Sequence, residues 1–153
     1  KAFKTYEKIG VSGAFDTVAF KSVSAKTIED SMIGNTISIE TKSINSGNSA
    51  RDATLLASFF NIQNTQSIKA TVESIKNSKA YVAMTMNGVT KVIPMSYTVE
   101  GNTISAKGSI DLGDFMMLPS LIGINKACYD LHEGKTWQDV EIGFKMDFTK
   151  VCH

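Results

Sequence analysis

The sequence predicts an all-β domain: an antiparallel up-and-down β-barrel of about eight strands with one or two short helices. Three observations predict it. Several segments alternate apolar and polar residues at period 2, the signature of a strand with one buried face. Turn-forming pairs, among them Asn77-Ser78, Asn87-Gly88 and Gly101-Asn102, join those segments directly, leaving no room for the crossover that a parallel pair needs. Helical spacing interrupts the alternation at two places, after Ser49 and between Leu112 and Gly134. Six to eight such strands make a barrel or a sandwich. A barrel removes edge strands, and at about eight strands its interior is either filled by side chains or holds one small ligand.

In chain order, Ile9 to Phe20 is rich in β-branched, aromatic and small residues and reads as one long, curved first strand. Ser24 to Asp30 has no clean period and reads as loop or a single helical turn. Gly34-Asn35 turns the chain into a strand over Thr36 to Ile44. The turn composition Asn45-Ser46-Gly47-Asn48 follows. Ser49 then has the spacing to Asp52 of a helix cap, with Asp52 at the positive end of the dipole. From Ala50 the helix presents Leu55, Leu56, Phe59 and Phe60 on one side. A helix of about ten residues is marginal alone in water, so this face is expected to be buried on an apolar surface or across the mouth of a cavity.

Strands are predicted at Ser67 to Ile75, with Ile68, Ala70 and Val72 on one face, and at Lys79 to Met86, with Val82, Met84 and Met86 on one face. Asn87-Gly88 is the strongest hairpin signal in the chain. The returning strand carries Val89, Lys91, Ile93, Met95, Tyr97 and Val99 on one side, and Pro94, which lacks a donor, marks a bulge or a sheet edge. Thr103 to Asp111 follows. Pro119 suits the first turn of the second helical segment, which Gly134 stops. Val140, Ile142, Phe144, Met146 and Phe148, at period 2, give the clearest strand.

With 153 residues the chain is long enough for one domain with its own core and too short for two. Sixteen basic and fifteen acidic residues give a net charge of +1, with no electrostatic footprint for nucleic acid. No apolar run approaches the roughly 18 residues of a membrane span. The sequence begins at Lys1 without methionine, as a mature exported form or a trimmed chain would. Cys128 and Cys152 are most simply a disulfide in an exported protein, which would stabilise it by about 3 kcal/mol in the chain-entropy model. The rival readings are free thiols, or a zinc site in which Cys128 and His132 share a helix face and Cys152 and His153 complete the set, although the spacing matches no standard zinc pattern.

No nucleophile elbow, phosphate loop or dinucleotide fingerprint is present, and Asp111 and Asp114 are spaced for a turn or cap rather than a catalytic dyad. The chain reads as a binding protein without catalytic residues or a cofactor. Residues expected inside are Phe15, Phe20, Ile37, Ile39, Val72, Val82, Met84, Met86, Ile93, Met95, Ile104, Phe144, Met146 and Phe148, with Phe59 and Phe60 at one end. For any one of them the alternative is ordinary core. Two features of the set favour a lining: the methionines at 84, 86, 95 and 146 are flexible and adapt to a chain-like guest, and the lining is purely apolar, with no obvious charged residue pointing inward. The competing reading is an interaction module using a patch of Tyr81, Val92, Pro94 and Tyr97.

Ser43-Ile44-Asn45-Ser46-Gly47-Asn48, then Arg51-Asp52, Leu55 and Phe59-Phe60, resembles the signature of the YceI-like family, the polyisoprenoid-binding, lipocalin-like periplasmic proteins of bacteria. Met86-Asn87-Gly88-Val89-Thr90-Lys91-Val92 resembles the family's G-[VT]-T-K hairpin, and Gly13-x-Phe15 its opening. Asn87 replaces the usual histidine, Val92 the usual proline, Gly108 to Phe115 lacks an arginine, and the histidine-containing first strand is missing. The resemblance implies a lipocalin-like barrel in the periplasm, holding a small-molecule lipid such as an isoprenoid quinone, polyprenyl lipid or fatty-acid-like amphiphile, and it implies homodimers. Arg51 then either touches the lipid head group or is a surface residue of the first helical turn.

Overall fold

The computed structural model describes residues 1–21 and 27–148. In chain order its elements are strands β1 (Ala2–Lys4), β2 (Ile9–Val11), β3 (Ala14–Phe15) and β4 (Val18–Lys21), helix α1 (Ile28–Met32), strands β5 (Thr36–Glu40) and β6 (Ile44–Asn45), and helix α2 (Ser49–Ser58). The meander β7 (Ser67–Lys76), β8 (Lys79–Met86), β9 (Val89–Glu100) and β10 (Thr103–Asp111) follows, then α3 (Leu118–Ala127) and β11 (Asp139–Asp147). Seven strands form one antiparallel sheet in the order β11-β10-β9-β8-β7-β5-β4. It curls into a half-barrel with its apolar face inward, the lipocalin-like architecture that the resemblance implies.

The registers assign that face. Ile39 stands opposite Ile68 and Ile37 opposite Ala70; Val72 opposes Val82, Ile93 opposes Val82 from the other side, and Ile104 lies between Val99 and Met146. Side chains at directly opposed positions point the same way, so one apolar surface runs from β5 to β11. The β7–β8 pairing shifts between Val72 and Ser74, and this bulge at Glu73 turns Ile75 inward opposite Ala80. Pro94 falls where the β9–β10 ladder, which runs from Glu100 to Ser96, has ended, so its missing N–H leaves no gap in that ladder.

The expected single strand over Ile9 to Phe20 is three strands with three partners. β2 folds back on β1, β3 pairs with β6, and only β4 joins the large sheet, on β5. Close approach breaks it: a Cβ on Gly13 would lie 3.2 Å from the Asn45 carbonyl oxygen, and Asn45 Nδ2 donates to Asp16 at 2.9 Å. The strand expected over Thr36 to Ile44 also stops early, at Glu40. Buried Thr41 turns the chain by donating both its N–H and its hydroxyl to the Gln66 carbonyl, at 3.1 and 2.9 Å.

Helix ends differ as well. Asn48, not Ser49, caps α2, its Oδ1 accepting from the Arg51 N–H at 2.9 Å. Of Ser24 to Asp30, read as loop or one turn, residues 24–26 lie outside the described residues; α1 starts within the rest, capped by Thr27, and runs on to Met32, which it buries completely in the core. α3 ends at Ala127 rather than near Gly134, so Cys128 and His132 share no helix face; the His132 N–H donates to the Cys128 carbonyl in the turn that follows. Gly134, at φ +74°, closes that turn. Cys152 and His153 lie outside the described residues, and with them the expected disulfide and its metal alternative.

Candidate functional site

The sheet's inner face is the candidate site, and its own side chains fill it. Val72, Val82, Met84, Met86, Ile93, Met95 and Ile104 belong to the buried cluster, and Ile37 and Met146 are buried as well. Phe15, Ile39, Phe59, Phe144 and Phe148 are half-buried against it. Phe20 departs from expectation: it shares the face of Ile37, but β4 is the last strand of the sheet and the ring stays 51% exposed. Ile68, Ala80, Ala106 and Ile110 of the same strands also belong to the cluster; Met32, Leu112, Phe115 and Met117 join it from outside the sheet and were not legible in the sequence, because they sit in a short helix and an irregular turn where no period marks an inward side.

The cluster ends at the aromatic group foreseen there. Phe60 is buried, with Phe15 at 5.8 Å and Phe59 at 5.0 Å between ring centroids, both edge to face, the geometry that the ring quadrupoles favour. Asn87 ties this end together. Its Oδ1 accepts from the Asn64 N–H at 2.7 Å, and its Nδ2 donates to the carbonyls of Phe115 at 3.0 Å and Met116 at 3.2 Å. One buried carboxamide thus pins the segments after α2 and before α3 to the β8–β9 hairpin.

α2 lies over this end without burying any residue fully; Leu55, Leu56 and Phe59 are half-covered, where full burial was expected. Arg51 serves its own turn. Its Nε donates to Ser46 Oγ at 2.8 Å and its Nη2 to the Ser46 carbonyl at 2.9 Å, while Asp52 accepts from the Ser46 N–H at 3.0 Å.

Lys91 departs from the expected purely apolar lining. Its register opposite Met84 puts it on the apolar face, where it is exposed to solvent. The four-residue patch of the interaction reading is divided between faces: Tyr81 stands opposite Pro94 on the outside, whereas Tyr97 packs on the core. Two open hollows lie elsewhere. One of about 330 Å³ is lined by Glu40, Lys42, Gln66 and Ser67; the other, of about 250 Å³, by α3 and Gly134 to Thr136. Beside the second, Thr136 donates to Asn125 Oδ1 at 2.8 Å, which leaves its oxygen to accept from His132 Nδ1 at 2.6 Å.

A curled antiparallel sheet with an apolar, methionine-rich interior and two short helices at one end defines the lipocalin-like class of β-barrel. Within that class the chain belongs to the YceI-like domain family, whose model matches residues 2–148. It resembles the Campylobacter jejuni YceI protein at 18% identity and TM-score 0.64, covering 96% of this chain and 90% of that one. It resembles BcnA of Burkholderia cenocepacia at 16% identity and TM-score 0.66, covering 97% and 94%. A polyisoprenoid-binding domain from Saccharophagus degradans, implicated in plant cell wall breakdown, matches at 12% identity and TM-score 0.64, covering 94% and 87%. At these identities the likeness shows the fold. No curated protein matches the chain.

Proposed function

We propose that this protein binds a long apolar amphiphile, of the isoprenoid quinone, polyprenyl or fatty-acid-like kind, inside the half-barrel, and carries or stores it in the periplasm without chemical change. One observation carries the reading: the inner face is a continuous apolar surface on which Met84, Met86 and Met95 are buried in one cluster, with Met146 buried on the same face in β11. Unbranched thioether side chains repack around a guest at little cost, so a core that fills itself can also yield to a chain. Each methylene buried contributes about 0.8 kcal/mol, which is why such a site needs length rather than catalytic groups. The YceI-like family and the polyisoprenoid-binding domain of S. degradans support the same class of ligand.

Native mass spectrometry after gentle purification tests this. The expected result is a co-purifying or readily loaded lipid of several hundred daltons; a protein that takes up no added isoprenoid would sink the reading. A second reading, self-association through the surface, draws on the apolar side chains exposed on and after α3, Ile122 and Leu131 being 67% and 73% exposed. A bare dimer in the same spectrum favours it.

A further inference from the structure

The pairing registers run apolar across the inner face from β5 to β11, with one charged exception among the described residues, Lys91. Its cross-strand partner Met84 is buried, yet Lys91 itself is exposed. The pairing shows where on the face Lys91 lies. From Val89 to Met95, β9 has a ladder only with β8, because its ladder with β10 begins at Ser96. Lys91 therefore lies on the apolar face at the end where the sheet is paired on one side, close to the Asn87-Gly88 turn. A lysine there lays its methylene stem on the apolar surface and carries its ammonium to water. The ion pairs among the described residues are Lys8–Asp139 and Lys42–Glu40, so no carboxylate neutralises it.

We propose that Lys91 is the head-group contact of the bound amphiphile, and that the ligand class is therefore an apolar chain ending in an anion, a phosphate or a carboxylate. This rests on the carrier reading above. An ammonium is a compact point charge with three donors, suited to a phosphate or carboxylate oxygen by a charge-assisted hydrogen bond. A neutral head group would gain only an ordinary hydrogen bond there, so the lysine discriminates by charge, while the chain buried along Met84 and its neighbours supplies the common part of the affinity.

Calorimetric titration with farnesyl phosphate and farnesol, which share one chain and differ in charge, tests the proposal on the wild type, Lys91→Met and Lys91→Arg. Lys91 is exposed, so these variants are expected to melt with the wild type. The wild type should prefer the phosphate by about tenfold, a free-energy difference of about 1.4 kcal/mol. Lys91→Met should lose that preference, its affinity for farnesyl phosphate falling far more than its affinity for farnesol, and Lys91→Arg should keep it. Millimolar inorganic phosphate should not displace farnesyl phosphate; displacement would mean that a free anion, not an amphiphile, is recognised, and would overturn the assignment. Equal wild-type affinity for both ligands, or an unaltered preference in Lys91→Met, overturns the head-group role and leaves the carrier reading standing. A wild type that binds neither ligand overturns both.

Discussion

Asn87 shows what one side chain contributes at the crowded end of the half-barrel. It sits in the left-handed region at φ +53°, which asparagine tolerates better than most residues, and its amide serves three backbone partners in two other segments. Removing it leaves buried carbonyls of the Phe115 turn short of a donor. Asn87→Ala is expected to cost about 2 kcal/mol, on the scale of unsatisfied buried groups, and to lower the melting temperature by about 5 °C. Melting by circular dichroism reads this directly, and an unchanged midpoint would show that water replaces the amide. His132 makes a second residue-scale case. Burial, with the Lys4 charge adding to it, holds its pKa below the ordinary histidine value. The native state therefore binds this proton less readily than the unfolded chain. Its contribution to stability is intact above about pH 6.5 and is lost as the pH falls through the folded value. His132→Gln is expected to flatten the decline in melting temperature between pH 7 and 5; parallel wild-type and variant curves would assign the decline to other groups.

At the scale of elements, the two helices are held together by an absence of side chain. Gly123 in α3 faces the Ser58 carbonyl at the end of α2, and a Cβ built on it meets that oxygen well inside contact distance and Ile62 Cδ1 at 2.6 Å. Backbone cannot retreat as a side-chain tip can. Gly123→Ala should push α2 away from α3 despite alanine's better helix propensity, costing about 1–3 kcal/mol as overpacking does. Because α2 buries no residue fully, the disturbance is expected to surface as increased binding of an apolar dye before any loss of β-sheet signal. A variant as stable and as dye-silent as the wild type would show that the helices already move freely. These contacts were beyond the sequence for a physical reason. Periodicity reports which side of an element is apolar, not which other element meets it, so Leu55, Leu56 and Phe59 were visible as a stripe while Gly123 was one more glycine. The same limit produced the single first strand: Ile9 to Phe20 has strand composition throughout, and only the hairpin with β1 and the clasp of Gly13 on Asn45 divide it.

For the whole molecule, the meander from β7 to β10 and the final strand were legible because each buries one face, and register then follows from alternation and tight turns. The interior list was largely legible for the same reason. What alternation could not supply was the outline of the interior: the edge at β4 that leaves Phe20 half-exposed, the irregular turn that buries Phe115, and the place where Lys91 reaches water. That outline also decides how a guest would register in stability. A ligand bound by the native state alone stabilises it by about 2.7 kcal/mol at a hundredfold excess over its dissociation constant, which for a domain of this size raises the melting temperature by about 5–10 °C. If the guest displaces Met84, Met86 and Met95 along the inner face, each added methylene contributes up to about 0.8 kcal/mol, less the cost of moving those side chains. In a series of single-chain alkyl phosphates from eight to sixteen carbons at fixed concentration, the melting temperature should climb with length and then level off once the inner face is covered. A flat series would mean that the methionines are core and nothing more. A rise without a plateau would point to adsorption on the exposed surface around α3, where no wall limits the length of chain accepted.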